Sequence, residues 1–211
     1  MSGSTLAAAP AAEPVTLEEA RSQLRVSDSS EDGLIAGYLL AARTLAEERT
    51  GRVFVTQTWV ETFDEHWPRH EHHSHGRRRG ILGRRRIALP RPPLQSVSSI
   101  TYVDTTGATQ TLDPSQYVVG RYKNIGVIDE AYGVCWPTTR CQVDAISVTY
   151  IAGYSDTNPM PETIRQAILL LVGHFYANRE AVIGASARIS PVELPIGVES
   201  LLAKHWVPWV F

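Results

Sequence analysis

The sequence predicts an α+β fold in which helical segments flank a central region of antiparallel strands. Residues 30–50 and 159–180 carry apolar side chains at helical spacing, whereas residues 53–154 break into short runs of β-branched and aromatic residues. The chain has 211 residues, of which 43% are hydrophobic, so one domain with a sizeable insertion can bury a core.

The first fourteen residues, MSGSTLAAAPAAEP, predict a flexible arm because they are small and rich in alanine and proline. They lack the basic and continuous apolar regions of a secretion signal. The longest strongly apolar run elsewhere is AILLLV, which is too short to cross a bilayer. We therefore expect neither export nor a membrane anchor.

Residues 15–52 are expected to form the first helices. Thr16 followed by Glu19 makes a capping box, which satisfies free amide groups at the start of a short helix. A longer helix is predicted at residues 30–50, with acidic residues in its first turn and Gly51 at its end. Its apolar stripe consists of Leu34, Ile35, Tyr38, Leu39, Ala42, Leu45 and Ala46.

The middle of the chain, residues 53–154, is predicted to be mostly antiparallel β structure. The motif DTTG at residues 104–107 indicates a hairpin turn. Strands are expected within residues 53–63, 86–90, 96–112, 117–120, 124–130 and 145–154.

Helix returns in residues 155–180, where Pro161 suits a first helical position. Its apolar stripe is expected to pack on the residue 30–50 helix and consists of Ile164, Ala167, Ile168, Leu171, Val172 and Phe175. Residues 181–211 are predicted to contain a linker, a short helix and an aromatic tail. Trp206, Trp209 and Phe211 lie in the last six residues, where chains normally end polar and frayed.

The sequence carries no recognised catalytic motif, neither a serine-hydrolase elbow, a Walker loop, a zinc-protease helix nor a dinucleotide-binding glycine loop. His174 lies on or beside an apolar helical face, which is typical of a core or interface histidine. Cys135 and Cys141 match neither a CxxC nor a zinc motif and are expected to be free thiols. We expect no enzymatic activity and no cofactor.

Residues 66–86, HWPRHEHHSHGRRRGILGRRR, gather five of the seven histidines and seven arginines against one glutamate. This His/Arg stretch carries +6, and because the whole chain carries −2, the other residues carry −8. The asymmetry indicates a local patch for an anionic partner. We expect no structural zinc site, because Gly76, Gly80 and Gly83 deprive the histidines of the fixed scaffold that zinc ligands need. Weak, adventitious metal binding is the alternative.

The arginines of the His/Arg stretch suit phosphate groups. Two RRR triplets place six fixed cations on a loop, a pattern that favours backbone phosphates over base reading. The alternative is a solvated loop that links two strands.

Several segments, taken in order, resemble the head-tail connector (adaptor) proteins of tailed phages, prophages and gene transfer agents, in the larger branch with a β insertion. The resemblance covers roughly residues 15–206, and the ordered set carries it, since no single motif is diagnostic. The segments are LIAGYLLAARTLAEERTGRVFVTQTW, LPRPPLQSVSSITYVDTTGATQTLDPSQYVV, SVTYIAGY, PETIRQAILLLVGHFYANREAV and LPIGVESLLAKHWV.

The resemblance implies a non-enzymatic virion neck protein. Such subunits form a ring, typically of twelve copies, between the portal and a stopper or tail completion protein, and they extend the DNA channel. The helices would form the ring body, residues 53–154 would be its β insertion, and the carboxyl-terminal segment would dock on the portal. The implied portal-binding residues are Leu201, Leu202, Trp206, Trp209 and Phe211.

The His/Arg stretch departs from the family pattern, because relatives have a shorter and less basic connection there. Twelve copies would concentrate on the order of seventy positive charges in one ring, for which packaged double-stranded DNA is the obvious partner. The residues predicted to face the DNA channel are Arg77, Arg78, Arg79, Arg84, Arg85 and Arg86. An acidic neighbouring protein is the alternative partner.

Two other functions compete with a neck protein. One is a metal-dependent nucleic-acid enzyme that uses the histidines, and the other is a free-standing DNA-binding regulator. Tightly bound stoichiometric zinc would favour the first of these, and sequence-specific DNA binding would favour the second.

Overall fold

The computed structural model describes residues 2–64, 67, 86–122, 125–178 and 196–207, which form two compact units. A helical unit is built from Ala11–Val55 and from the described residues after Tyr154. A sheet unit is built from the residues before Ala11 and from the described part of Thr56–Tyr154. The described residues contain both helices and antiparallel strands, so the predicted α+β class is confirmed.

The helical unit contains four helices among the described residues: α1 (Leu17–Leu24), α2 (Asp32–Thr50), α3 (Glu162–Ala177) and α4 (Ile196–Ala203). The predicted capping box is confirmed. The Thr16 hydroxyl accepts from the Glu19 amide at 3.2 Å, and the Glu19 carboxylate accepts from the Thr16 amide at 2.8 Å. The helix α2 ends at Gly51, whose φ of 68° lies in the left-handed region that favours glycine.

The core of the helical unit lies between α2 and α3, which pack against each other as predicted. Tyr38 and Phe175 extend this contact, with ring centroids 6.2 Å apart. Leu34 is 39% exposed because it lies at the margin of the apolar stripe. The buried apolar residues are Ile35, Leu39, Ala42 and Ala46 on α2 and Ile164, Ala167, Ile168, Leu169, Leu171 and Val172 on α3.

A buried arginine ties the start of the helical unit to α2. Arg43 is 6% exposed, and its guanidinium lies 2.7 Å from the Glu13 carboxylate and 2.8 Å from that of Glu47. Glu47 also accepts the Phe54 amide at 2.7 Å. The Arg43 charge is tolerated in the interior because two carboxylates pair with it. The pair with Glu13 fastens the segment before α1 to α2.

The sheet unit contains two antiparallel sheets. One has the strand order β1-β2-β8-β4-β5 and the other β3-β7-β6. The strands are β1 (Ser2–Ala8), β2 (Gln57–Phe63), β3 (Ile87–Leu89), β4 (Leu94–Val103), β5 (Thr109–Thr111), β6 (Tyr117–Tyr122), β7 (Ile125–Glu130) and β8 (Ile146–Ala152). The predicted DTTG turn lies between β4 and β5, where Gly107 has a φ of 91°.

The prediction of a flexible arm at residues 1–14 is wrong for residues 2–8, which form β1. This strand pairs with β2 from Ser2 opposite Phe63 to Ala8 opposite Thr58. Small residues have little intrinsic strand preference, but the hydrogen-bonding edge of β2 supplies partners for their backbone groups. Composition alone could not indicate that edge.

Glu61 is a buried carboxyl group on β2. It is 3% exposed, and burial raises its pKa from 4.5 to about 7, although the Ser4 hydroxyl and the Arg91 charge act in the opposite direction. The fully buried hydroxyl of Tyr150 has no hydrogen-bond partner among the described residues, and burial raises its pKa as well. The core of the sheet unit therefore contains an acid that carries charge only at a cost.

We predict that Glu61→Gln stabilises the protein at pH 8 and has much less effect at pH 5. Because the folded-state pKa lies above the unfolded value, the free energy of unfolding falls as the pH rises from about 4.5 to about 7 and stays low above it. The gain at pH 8 is on the order of 3 kcal/mol. Thermal melts at both pH values measure it, with the exposed Glu48→Gln as control. Equal shifts at the two pH values would contradict the prediction.

Candidate docking site at the carboxyl-terminal helix

The segment after α4 is fastened to the helical unit on both sides of Trp206. The Arg52 guanidinium donates to the His205 carbonyl at 2.6 Å, and the His205 ring lies 2.7 Å from the Thr163 hydroxyl. The Val207 amide donates to the Thr50 carbonyl at 2.9 Å, and the Val207 side chain is 8% exposed. The backbone that carries Trp206 is therefore held by residues near the end of α2 and the start of α3.

His205 contributes this contact as a neutral side chain at pH 7. Burial lowers its pKa below the ordinary 6.5, and the charges of Arg52 and Lys204 act in the same direction. A protonated ring would face both cations, so its contact with Thr163 is favoured at neutral and higher pH.

Trp206 is exposed although its backbone is fixed. Its side chain is 56% accessible and borders a groove of about 430 Å³, which is also lined by Arg49, Glu199, Leu202 and Ala203. Arg49 and Glu199 form an ion pair at this groove. An indole held on a fixed backbone beside charged groups is typical of an interface anchor, because little conformational entropy is lost when a partner covers it.

The structure locates three of the five predicted portal-binding residues. Leu201 is partly exposed, and Trp206 is exposed as described. Leu202 is 2% exposed because α4 turns it toward the core, and its contact with a portal stays a prediction. Trp209 and Phe211 lie outside the described residues.

Two residues of the His/Arg stretch are described, and the first of them, Trp67, is fixed in the sheet unit. It is 2% exposed and stacks on Trp136, with ring centroids 4.4 Å apart and an interplanar angle of 10°. Its indole N–H donates to the Pro137 carbonyl at 2.8 Å, and Tyr102 packs at 6.1 Å. The amino-terminal side of the stretch is thus anchored by an aromatic cluster.

Arg86, the other described residue of the stretch, is held to β7. Its Nε donates to the Asp129 carboxylate at 3.0 Å, and this contact raises the pKa of Arg86. The guanidinium is therefore ion-paired, which corrects the prediction that all six arginines project from a loop. The other five, Arg77, Arg78, Arg79, Arg84 and Arg85, lie outside the described residues.

The remaining sequence predictions concern metal binding, the two cysteines and membrane spans. No group of three metal-binding side chains occurs among the described residues, and His66, His70, His72, His73 and His75 fall outside them. Neither Cys135 nor Cys141 forms a disulfide, as predicted. Within the described part of the chain, no helix is long and apolar enough to span a bilayer.

The two-unit α+β fold is similar to that of chains from gene transfer agent particles. A chain from the neck of an empty GTA particle, computed with C6 symmetry, matches with a TM-score of 0.71 and 20% identity. A chain from the virion of a native gene transfer agent (GTA) particle matches with a TM-score of 0.69 and 20% identity. In each case 99% of this chain and 97% of the other are covered.

A third match is a chain from the neck of a native GTA particle computed with C12 symmetry, with a TM-score of 0.67 and 21% identity over 100% of this chain and 97% of the other. Residues 14–71 match the model of the phage gp6-like head-tail connector proteins. No curated protein sequence matches the chain. The predicted resemblance to head-tail connectors is confirmed by sequence over residues 14–71, and the fold is similar to that of a GTA neck chain over 99% of this chain.

We predict that Trp136→Ala destabilises the sheet unit by about 3–5 kcal/mol, because a buried, stacked indole leaves a cavity. Thermal melts measure the loss, and near-ultraviolet circular dichroism reports the lost stacking with Trp67. Trp206→Ala is the matched control, since the same substitution at an exposed indole should change the melting temperature little. Identical melting of the two variants would show that the cluster does not anchor the stretch.

Proposed function

We propose that the protein is a structural subunit of a particle neck, a head-tail connector that assembles as a ring between the portal and a stopper or tail protein. The correspondence of the whole fold with GTA neck chains carries this proposal, and the connector segment at residues 14–71 supports it independently. The role is one of binding, and no catalytic step is required. The comparisons lend no support to the alternative of a free nucleic-acid-binding protein.

Twelve copies is the ring size that we propose. One of the matching necks was computed with C12 symmetry. Another was computed with C6 symmetry, which is compatible with twelve subunits because six is a factor of twelve. A ring of identical subunits needs two different surfaces on each subunit, one for each neighbour, because its contacts are head-to-tail.

The exposed Trp206 is the proposed portal anchor. It combines a large apolar surface with a polar indole N–H, and the contacts of His205 and Val207 hold it in one place. The ion pair of Arg49 with Glu199 supplies the polar border that surrounds interface anchors. Leu202, which is 2% exposed, lines the same groove from its buried side.

We predict that Trp206→Ala leaves folding intact and weakens attachment to portal-bearing heads roughly 30-fold, the loss expected for a central aromatic anchor. Gold labelling of intact particles should place the wild-type protein at the head-tail junction and find the variant depleted there. Leu170→Ala, which removes another exposed apolar side chain of the helical unit, is the control. Undiminished labelling of the Trp206 variant would refute the anchor, and labelling of wild-type protein elsewhere would refute the proposed function.

The arginines Arg77, Arg78, Arg79, Arg84 and Arg85 are proposed to face packaged DNA. Arginine stays charged at any relevant pH and donates two parallel hydrogen bonds to phosphate. Arg86 is left out of this set because Asp129 already occupies its guanidinium. Twelve subunits would still present on the order of sixty positive charges to the DNA.

We predict that replacing these five arginines with serine, with Arg86 retained, leaves ring assembly intact and weakens the retention of packaged DNA. Fewer counterions are exchanged, so DNA binding should also depend less steeply on salt. Release of DNA from particles at several salt concentrations measures both effects. Replacement of the same five residues with lysine preserves charge and should preserve retention. If the serine variant retained DNA as the lysine variant does, the channel role would be wrong.

A further inference from the structure

The first strand of the chain occupies an edge of the larger sheet. β1 lies antiparallel to β2 at the end of the order β1-β2-β8-β4-β5, with Thr5 opposite Val60 and Ser4 opposite Glu61. Paired in this way, the backbone groups of β2 face partners on both sides, β8 and β1. An uncovered β2 would present unpaired amide and carbonyl groups over seven residues.

The hold of β1 on this edge comes from its backbone. Every side chain from Gly3 to Ala8 is exposed, including Leu6 at 43%, so the strand contributes no buried side chain to a core. One side-chain contact adds to the backbone pairing, the hydrogen bond between the Ser4 hydroxyl and the Glu61 carboxyl group. Such backbone pairing is the same whether the strand belongs to this subunit or to another copy.

A short connection joins β1 to the helical unit. Glu13 is held by Arg43, the Pro14 carbonyl accepts from Arg165 at 3.1 Å, and Val15 is 1% exposed. Four residues, Ala9–Ala12, thus separate β1 from the first fastened position. Ala9 precedes Pro10, and a residue before proline is biased toward an extended backbone.

We propose that in the assembled ring β1 is exchanged, so that residues 2–8 of each subunit pair with β2 of its neighbour. The inference rests on the proposed ring. Each subunit donates one strand to one neighbour and receives one from the other, so every β2 edge stays covered. Contacts of this head-to-tail kind close a ring. The partner is a second copy of this chain, because β1 is the strand whose backbone pairs in register with the β2 edge and whose Ser4 contacts Glu61.

A disulfide between directly opposed residues of β1 and β2 tests the exchange. Thr5→Cys and Val60→Cys are introduced together, with Cys135 and Cys141 replaced by serine because both are exposed. Opposed residues of antiparallel strands lie within reach of a disulfide. The matched control pairs the same Val60→Cys with Thr149→Cys on β8, which must close within one chain. Oxidised particle necks and purified protein are compared on non-reducing gels.

Strand exchange predicts a ladder of covalent multimers from necks for the Thr5–Val60 pair, and single chains for the Val60–Thr149 pair. Single chains for both pairs, with the protein present in necks, would overturn the exchange and leave the proposed function standing. A ladder for both pairs would also overturn it, since the links would not report on β1. If the protein were absent from necks, the proposed function would fail, and the exchange, which rests on the ring, would fail with it.

Discussion

The pairing of β2 with β8 is the contact on which the rest of the architecture depends. Gln57 lies opposite Ala152 and Phe63 opposite Ile146, so the two ends of a long β region meet side by side in one sheet. The chain therefore leaves the helical unit and re-enters it through adjacent strands. This closure allows α2 and α3, which are more than one hundred residues apart in the chain, to pack as one helical core. Closing so long a loop costs conformational entropy. The burial of every second side chain of β8 offsets this cost.

Charged side chains that are buried or half-buried connect separate segments of this fold. Arg43 joins Glu13 to α2, and Arg86 joins the end of the His/Arg stretch to β7. Both are paired, and pairing limits the cost of taking a charge out of water. Glu61 differs, since burial raises its pKa to about 7 and its stability contribution changes with pH. Its neighbour across the edge is Ser4, so the same carboxyl group borders the strand proposed to be exchanged.

The tryptophans illustrate how a fold assigns different tasks to one residue type. Trp67 and Trp136 stack in the interior of the sheet unit, where they anchor one side of the His/Arg stretch. Trp206 stays exposed on a backbone that neighbouring residues hold in place. Buried Trp67 and Trp136 stabilise the fold, whereas the exposed side chain of Trp206 on a fixed backbone is suited to binding a protein partner.

The sequence by itself determined the α+β class, the helix at residues 30–50, the capping box of Thr16 and Glu19, and the head-tail connector resemblance. These depend on local periodicity, on short-range hydrogen bonding and on the order of segments, all of which a single chain displays. It also indicated Trp206 as an anchor through its unusual place near the chain end.

Only the tertiary structure decided that residues 2–8 form a strand, that Leu202 is buried, and that Asp129 pairs with Arg86. The residues that pair with β1 and with Arg86 lie 43 or more positions away in the chain. The burial of Leu202 depends on how α4 packs in the helical unit. Residue type and local spacing carry no information about such distant partners. The same strand, leucine or arginine can be exposed to water or held in a contact, and the neighbours that the fold places beside it decide which.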